Sequence, residues 1–393
     1  MLFVICLVKH MEEYDVFIVG AGPAGVTVAS SLIGQGIRVL IIEKEKLPRY
    51  KICAGGFTKK SLSILSIPYE EQVKFTAKEV MISYRQKMVN IISGSKVLVK
   101  MFERKDFDFL YIHSLVGTKI NIKDCVTLKK ILYENTKFIL QTETEIIKCK
   151  YLVGADGVNS VVNQTFNIVD KSDYGFGVEV NCPLNSQSIG KYYMRFDFDK
   201  SIKGYFWVFP KDKYLCIGAY SSCKKVKGIN ALLSNYITDL GLSYEENLRG
   251  HLIPFHGINY KQPKFPCILV GDAAGFGDRF TGEGIYYAIK SGQIAGEVIR
   301  SSFKNGYFDY KKLQKQYNKE IIRGLKTGYI LGKIFYINLP MSYRFLQIPL
   351  VTKIFYEGFA KGYTYDQIVY NILSILWDII MNKSNITKKK YSN

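Results

Sequence analysis

Residues 14–43, YDVFIVGAGPAGVTVASSLIGQGIRVLIIE, constrain the fold more than any other stretch of this chain. YDVFIVG reads as a buried strand and runs into Gly20-Ala21-Gly22-Pro23-Ala24-Gly25. VTVASSLIGQG then reads as a helix ending near Gly34 to Gly36, and IRVLIIEKE as a second strand. A β-α-β unit of about 30 residues is the setting in which such a glycine fingerprint has chemical meaning. Gly20 makes the tight turn. Gly22 lets backbone approach a pyrophosphate at a helix N-terminus, where unpaired N–H groups and the helix dipole favour anions, and Gly25 lets the helix close on the strand. Glu43 ends the second strand 18 residues beyond Gly25, where a carboxylate can bind ribose hydroxyls, and Lys44 beside it joins the same nucleotide set.

Further along, SKVLVKMF (95–102) is a strand and RKDFDFLYIHSLVG (104–117) an amphipathic helix. Short alternating segments fill 121–150, and YLVGADG (151–157) returns to a buried strand. From about 172 to 256 the texture becomes antiparallel β. KYYMRFDFDK alternates strictly, and GYFWVFP (204–210) faces YLCIGAYS (214–221) across a KDK turn, with a helix over 226–241. In GYFWVFP the alternation puts Tyr205, Trp207 and Phe209 on one face and Phe206 and Val208 on the other. CILVGDAAG (267–275) is again a buried strand ending in glycines, a long helix follows from Gly284 to about Phe303, and the chain is helical, basic and aromatic from 309 onward.

With 393 residues, 48% of them hydrophobic, the chain can bury a substantial core. The surplus of 54 Lys and Arg over 34 Asp and Glu gives +20, a field that attracts anionic lipid, nucleic acid or phosphorylated small molecules. The cations are scattered and the one dense run is Lys388, Lys389 and Lys390, so no nucleic-acid stripe is expected. The eight cysteines include no C-x-x-C pair and no histidine at zinc spacing, which argues against a metal site or a disulfide framework. No run reaches the about 18 to 20 apolar residues of a membrane span. The opening MLFVICLV, before a second Met at Met11, is too short to cross and reads as an upstream start or extension. Free thiols suggest the cytoplasm. YDQIVYNILSILWDIIMNK (365–383) has apolar residues at helical spacing and a basic end, a pattern that suits an interfacial helix and domain packing equally, so peripheral membrane contact stays open.

GADGVNS (154–160) puts Asp156 and Gly157 at a strand end, and VGDAAGFGDRFTGEG (270–284) puts Gly271 and Asp272 at another. With the glycine fingerprint, these resemble in form and order the three FAD signatures of the flavoprotein monooxygenase superfamily with the p-hydroxybenzoate hydroxylase fold. Arg104 in RKDFDFL matches that family's helix-opening arginine near the FAD phosphates. The resemblance implies Asp272 at the ribityl or pyrophosphate region and backbone of Gly282, Gly284 and Ile285 at the flavin ring. Asn163 stands where the middle motif usually carries Arg, which leaves the reductant open.

Within the superfamily the chain resembles the geranylgeranyl reductases. Tyr205-Phe206-Trp207-Val208-Phe209-Pro210 fits their Y-x-W-x-F-P segment, and RYKICAGGF carries Lys51, Cys53, Ala54, Gly55 and Gly56 in the form of their cysteine loop. GHLIPFHG (250–257) resembles their return segment to the flavin. The expected fold is α/β (α+β overall): a Rossmann-type FAD-binding domain (11–75, 95–168, 262–308), an inserted antiparallel β-sheet substrate domain (76–94, 169–261) and a C-terminal helical tail (309–393), after an extension over 1–10.

The implied reaction reduces an isolated prenyl double bond in a geranylgeranyl lipid or prenyl diphosphate. A hydride comes from N5 of reduced FAD, and ferredoxin or NAD(P)H is the external electron donor. Tyr205, Trp207, Phe209 and Pro210 are the expected substrate wall, because an unactivated alkene offers only shape to grip. Cys53 is expected at the flavin as a catalytic or positioning group, with Tyr205 as another proton source. His256, at the return segment, is a candidate base. Two alternatives remain: a monooxygenase or halogenase on the same fold, or a basic membrane-surface or nucleic-acid binding protein with a vestigial flavin site. Halogenases carry W-x-W-x-I-P, and here Tyr205 and Phe209 stand at the differing positions.

Overall fold

The computed structural model describes residues 12–170, 173–184, 193–261 and 263–374. The opening MLFVICLV, the Lys388–Lys390 run and the 375–383 part of the interfacial segment lie outside them.

Four apolar strands set the first sheet. Glu12–Val19 pairs in parallel with Val39–Ile42 on one side and with Ile146–Gly154 on the other, and Cys267–Leu269 runs parallel to the end of Ile146–Gly154. Ile120–Lys123 extends one edge, while Lys137–Thr142 and Leu128–Glu134 add an antiparallel wing at the other. Helix Pro23–Ser30 and helix Ile285–Asn305 pack on this sheet and on each other. Their contact is close because a Cβ at Gly292 would stand 2.6 Å from the Ala24 carbonyl.

A second seven-stranded sheet runs in the order Arg249–Pro254, Tyr174–Pro183, Tyr214–Ser221, Gly204–Pro210, Met194–Asp199, Val80–Tyr84, Met88–Ile92. All its pairs are antiparallel except Met194–Asp199 with Val80–Tyr84, where a hairpin from an earlier part of the chain joins the edge in parallel. Gly204–Pro210 is buried along its whole length. Tyr205, Trp207 and Phe209 enter one apolar cluster and Phe206 and Val208 another, as the alternation requires, and Phe206 stacks on Tyr236 of helix Ile229–Asp239 at 4.4 Å. A small third sheet joins Gly56–Thr58, Val99–Phe102 and Val73–Ala77.

Several elements are shorter than their apolar patterns. The 95–102 strand is confined to Val99–Phe102, the helix after Arg104 stops at His113, and the helix after the glycine fingerprint stops at Ser30. In the last case the backbone leaves the helix through tighter turns, Leu32 donating to the Ala29 carbonyl and Ile33 to that of Ser30, before Gly34 and Gly36 adopt positive φ. From Tyr310 the chain is helical: Tyr310–Tyr317, Arg323–Ile337, Leu339–Leu346, Pro349–Lys361 and residues 365–374. Phe335, Leu339, Tyr343 and Ala360 from these helices are buried in the same cluster as the three rings.

Candidate functional site

The last residues of the four parallel strands form a single row. Val19 pairs with both Ile42 and Gly154, and Gly154 with Leu269. Whatever follows each strand therefore gathers at one edge of the sheet, where open α/β sheets bind their ligands. The gathered residues are Gly20, Gly22, Pro23 and Ala24, Glu43 with Lys44, Asp156 with Gly157, and Asp272, and all of them line one cavity of about 960 Å³. Gly20 turns with φ +105°, and its neighbours leave no room for a side chain, since a Cβ would stand 2.4 Å from the Ala155 carbonyl. At Gly25 a Cβ would stand 2.1 Å from the Gly20 carbonyl, so helix Pro23–Ser30 can sit on the turn only with glycine there.

The cradle is built for an anion. Helix Pro23–Ser30 starts without a side-chain cap, so its first N–H groups and its dipole face the cavity. Glu43 is buried and accepts from the Ala21 N–H at 3.1 Å and from Arg49 Nε at 3.2 Å. Arg49 Nη1 also reaches Asp108 at 3.1 Å, and Asp108 holds Arg104 through two bonds of 2.9 Å. Two guanidinium groups are thus held at the cavity wall by two carboxylates, Arg49 between Glu43 and Asp108 and Arg104 on Asp108, which fixes their N–H groups in place without an excess of charge. Asp156 receives the Val161 N–H at 2.7 Å through one oxygen, while its buried Oδ1 has no hydrogen-bond partner among the described residues, and burial raises its pKa, with the Ser160 hydroxyl opposing. An orphaned carboxylate oxygen beside a glycine turn fits a ligand hydroxyl. Helix Ile285–Asn305 opens opposite, capped only by the backbone of Gly284, with Gly282, Gly284 and Ile285 in the wall.

The loop holding Cys53, Ala54 and Gly55 lies between this cradle and the second sheet. The Cys53 N–H donates to Glu179 Oε1 at 2.9 Å, and the Cys53 thiol faces the Arg104 guanidinium. Glu179 is buried on strand Tyr174–Pro183. Its Oε1 also accepts from Tyr50 at 3.4 Å, and the Cys216 thiol lies 3.7 Å from its other oxygen. Burial raises the Glu179 pKa, with the Cys53 N–H and Lys211 opposing. Nearby, Lys51 Nζ stands 3.1 Å from His251 Nε2. Burial lowers both pKa values. The Lys51 ammonium lowers that of His251 further, the cations Arg104 and Arg49 act likewise on Lys51, and Asp272 supports the charge of each.

Beyond the loop the cavity is walled by rings. Tyr205, Trp207 and Phe209 line it together with Phe196, Phe198 and Tyr220. Trp207 pairs across the sheet with Phe196 and Gly218, and Gly218 with Glu179, so a carboxylate, an empty position and an indole lie in one row on one face. The indole occupies the empty position: a Cβ on Gly218 would stand 2.2 Å from Trp207 Cζ2. The Tyr205 hydroxyl donates to the Thr281 carbonyl, which pins that ring to the loop before Gly282. Leu346, Thr352, Phe355, Tyr356 and Phe359 of the C-terminal helices close the far side.

Ala21, Gly25, Gly271 and Pro210 lie behind the wall rather than in it. Ala21 orients Glu43, Gly271 donates to Ser291 at 2.9 Å, and Pro210 closes the ring strand opposite Leu215. His256 is packed against Gly275 and Tyr174, off the cavity, and His251 is the histidine that lines it. Sequence reasoning missed Arg49, Glu179, His251 and the tail's contribution. Glu179 had a readable signal, as the single acid in the apolar strand GFGVEVNC. Arg49 and the tail residues had none, because nothing in their spacing marks them. Among the described residues, no group of His, Cys, Asp and Glu is placed to hold a metal ion.

Residues 13–80 match the model of an FAD binding domain. An uncharacterized protein of Methanosarcina barkeri is 50% identical over 97% of this chain and 99% of its own length. The digeranylgeranylglycerophospholipid reductase of Methanococcus vannielii is 30% identical over 82% of this chain and 88% of its own. Among solved structures, a geranylgeranyl bacteriochlorophyll reductase-like protein of Thermoplasma acidophilum shares the fold, with a TM-score of 0.73 at 20% identity over 93% of this chain and 99% of that one. FAD is the cofactor for which the glycine turn, the paired arginines and the orphaned Asp156 oxygen are suited, and the chain belongs to the geranylgeranyl reductase family of FAD-dependent oxidoreductases.

Proposed function

We propose that this oxidoreductase saturates isolated carbon–carbon double bonds in geranylgeranyl chains carried by a lipid or a diphosphate. The observation that carries the reading is the continuity of one cavity from the nucleotide cradle at Gly20, Gly22, Pro23, Ala24 and Asp156 to the rings of Tyr205, Trp207 and Phe209. Reduced FAD supplies a hydride, and ferredoxin or NAD(P)H serves as the external donor that restores it. The chain's own part is to position an alkene that presents no charge, and to keep water away from it. Flat rings on a rigid strand do the first, since the Thr281 carbonyl fixes Tyr205 and the missing Gly218 side chain fixes Trp207. Phe280, Phe355 and Phe359 do the second from the opposite wall.

Within this reading Gly20, Gly22, Pro23 and Ala24 receive the pyrophosphate, with Arg104 close to it. Asp156 and Asp272 take ribose or ribityl hydroxyls, and Glu43 and Lys44 the adenosine side. Cys53 borders the reacting carbon, on a loop whose position Glu179 sets. An anaerobic turnover measurement tests the reading. The flavin is reduced with dithionite, geranylgeranyl diphosphate or a digeranylgeranyl lipid is added, and products gain two hydrogens per bond. An oxygenated product that forms only on admitting air would replace the reading with a monooxygenase. A Trp207→Ala variant that keeps FAD and full turnover would remove the ring wall from it.

A further inference from the structure

The C-terminal helices that cover the ring face on their inner side expose an apolar ridge on their outer side. On helix Arg323–Ile337, Ile330, Ile334 and Ile337 recur at helical spacing and are 57%, 61% and 72% exposed. The ridge continues on Leu339–Leu346 with Met341 at 64% and Phe345 at 56% exposure, and on through Ile348 and Leu350. Lone exposed apolar residues are ordinary, but a row of them along consecutive helices is an interaction surface.

Two observations identify the occupant. The first is charge: residues 323–361 carry Arg323, Lys326, Lys333, Arg344, Lys353 and Lys361, all exposed, against Glu357, and Asp366 just beyond takes up Arg323 at 3.3 Å. The Glu357 carboxylate is held by Lys96 at 2.7 Å, which leaves the ridge flanked by cations. Apolar residues between exposed cations match the headgroup and acyl layers of an anionic bilayer. The second is continuity with the cavity: Leu346, Thr352 and Phe355, from the same helices, line its apolar end. The exposed Val89 and Ile91 precede the cavity residue Ile92 on the facing hairpin, and Tyr356 ties the helix to that side by accepting the Lys96 N–H at 3.1 Å.

We infer that this ridge, through Ile337, Met341 and Phe345, seats the protein on the surface of an anionic lipid bilayer, next to the apolar end of the cavity. No helix among the described residues is long and apolar enough to cross, so the contact is interfacial. The surface itself stands on exposure and charge. Only its use as the route by which a prenyl chain leaves the bilayer rests on the reductase reading.

The test is sedimentation of the full-length, FAD-loaded protein with vesicles of equal parts phosphatidylglycerol and phosphatidylcholine, beside vesicles of phosphatidylcholine alone. Binding to the anionic vesicles is expected, about tenfold weaker for the triple variant Ile337→Ser, Met341→Ser, Phe345→Ser. Each of Lys333→Gln and Lys353→Gln is expected to weaken it about fivefold, and added salt to weaken it further. Turnover of soluble geranylgeranyl diphosphate by the triple variant stays at the wild-type level, because none of its positions lines the cavity. The inference is overturned if the wild type ignores anionic vesicles, or if the triple variant binds them as the wild type does. It is overturned in favour of a second copy if light scattering shows a dimer that the triple variant loses while neither protein sediments with vesicles. It is overturned in favour of the chain's own end if only a chain lacking residues 375–393 binds. Vesicle binding without alkene reduction would leave the surface standing and remove the reductase reading alone.

Discussion

At the scale of single residues the wall rests on an absence. Gly218 has no side chain, and the indole of Trp207 occupies the space this leaves. Gly218→Ala is expected to cost about 1–3 kcal/mol of stability through overpacking and to lower prenyl turnover severalfold while FAD stays bound. Adding Trp207→Phe should return part of the stability, because a smaller ring clears the new methyl group. Thermal unfolding of the two single variants and the double variant measures that coupling. Glu179 works in the opposite sense, as a charge that the fold holds at a disadvantage. Burial raises its pKa above the ordinary 4.5. The folded chain therefore keeps a proton that the unfolded chain gives up, and the stabilisation present below about pH 4.5 is lost as pH rises through the raised value. Glu179→Gln keeps the acceptor for the Cys53 N–H and removes that loss. Its melting temperature should exceed wild type by more at pH 8 than at pH 4.5, and equal excess at both would refute the assignment. Glu179→Ala instead strands the Cys53 N–H and should cost about 1–3 kcal/mol.

At the scale of elements, the loop of residues 278–284 joins the tail to the cradle. Asp278 is fully buried and accepts the Phe280 and Thr281 N–H groups at 3.1 Å each and the Tyr365 hydroxyl at 2.8 Å. Lys60 pairs with Glu283 and lies 5.4 Å from the centre of the Tyr365 ring. Tyr365→Phe removes one bond to a buried carboxylate, with an expected cost of about 1–3 kcal/mol and faster loss of FAD on dilution, read from flavin fluorescence. Unchanged FAD retention would separate the tail from the cradle. The strands leading into this site were legible wherever period and neighbours agreed: Gly204–Pro210 and Tyr214–Ser221 coincide with their patterns because each side chain alternates between two apolar clusters. Helix and strand ends were less legible. Val99–Phe102 ends where its two partners, Gly56–Thr58 and Val73–Ala77, stop pairing with it, a tertiary fact that no local pattern contains.

At the scale of the whole molecule, the nucleotide edge could be read from its motifs because four strand ends in one row demand it, and residues such as Gly20 and Asp156 are chemically marked. The cover over the rings was not legible, since Phe335, Leu339, Tyr343 and Ala360 sit in ordinary amphipathic helices whose partner is set only by three-dimensional packing. A chain ending after Asn338 should expose that face. The expected outcome is strong binding of an apolar dye such as anilinonaphthalene sulfonate and a melting temperature several degrees lower, and a dye signal equal to wild type would contradict the packing. The same arrangement has a consequence during synthesis. The ring strand is complete at Pro210, but the helices that complete its cover start only at Phe335, so a ribosome adding residues in order leaves the aromatic face incompletely covered for on the order of ten seconds. Until then the nascent chain presents to the cell the very face that the finished protein keeps for its cavity, and chaperone occupancy should peak while that segment is being made.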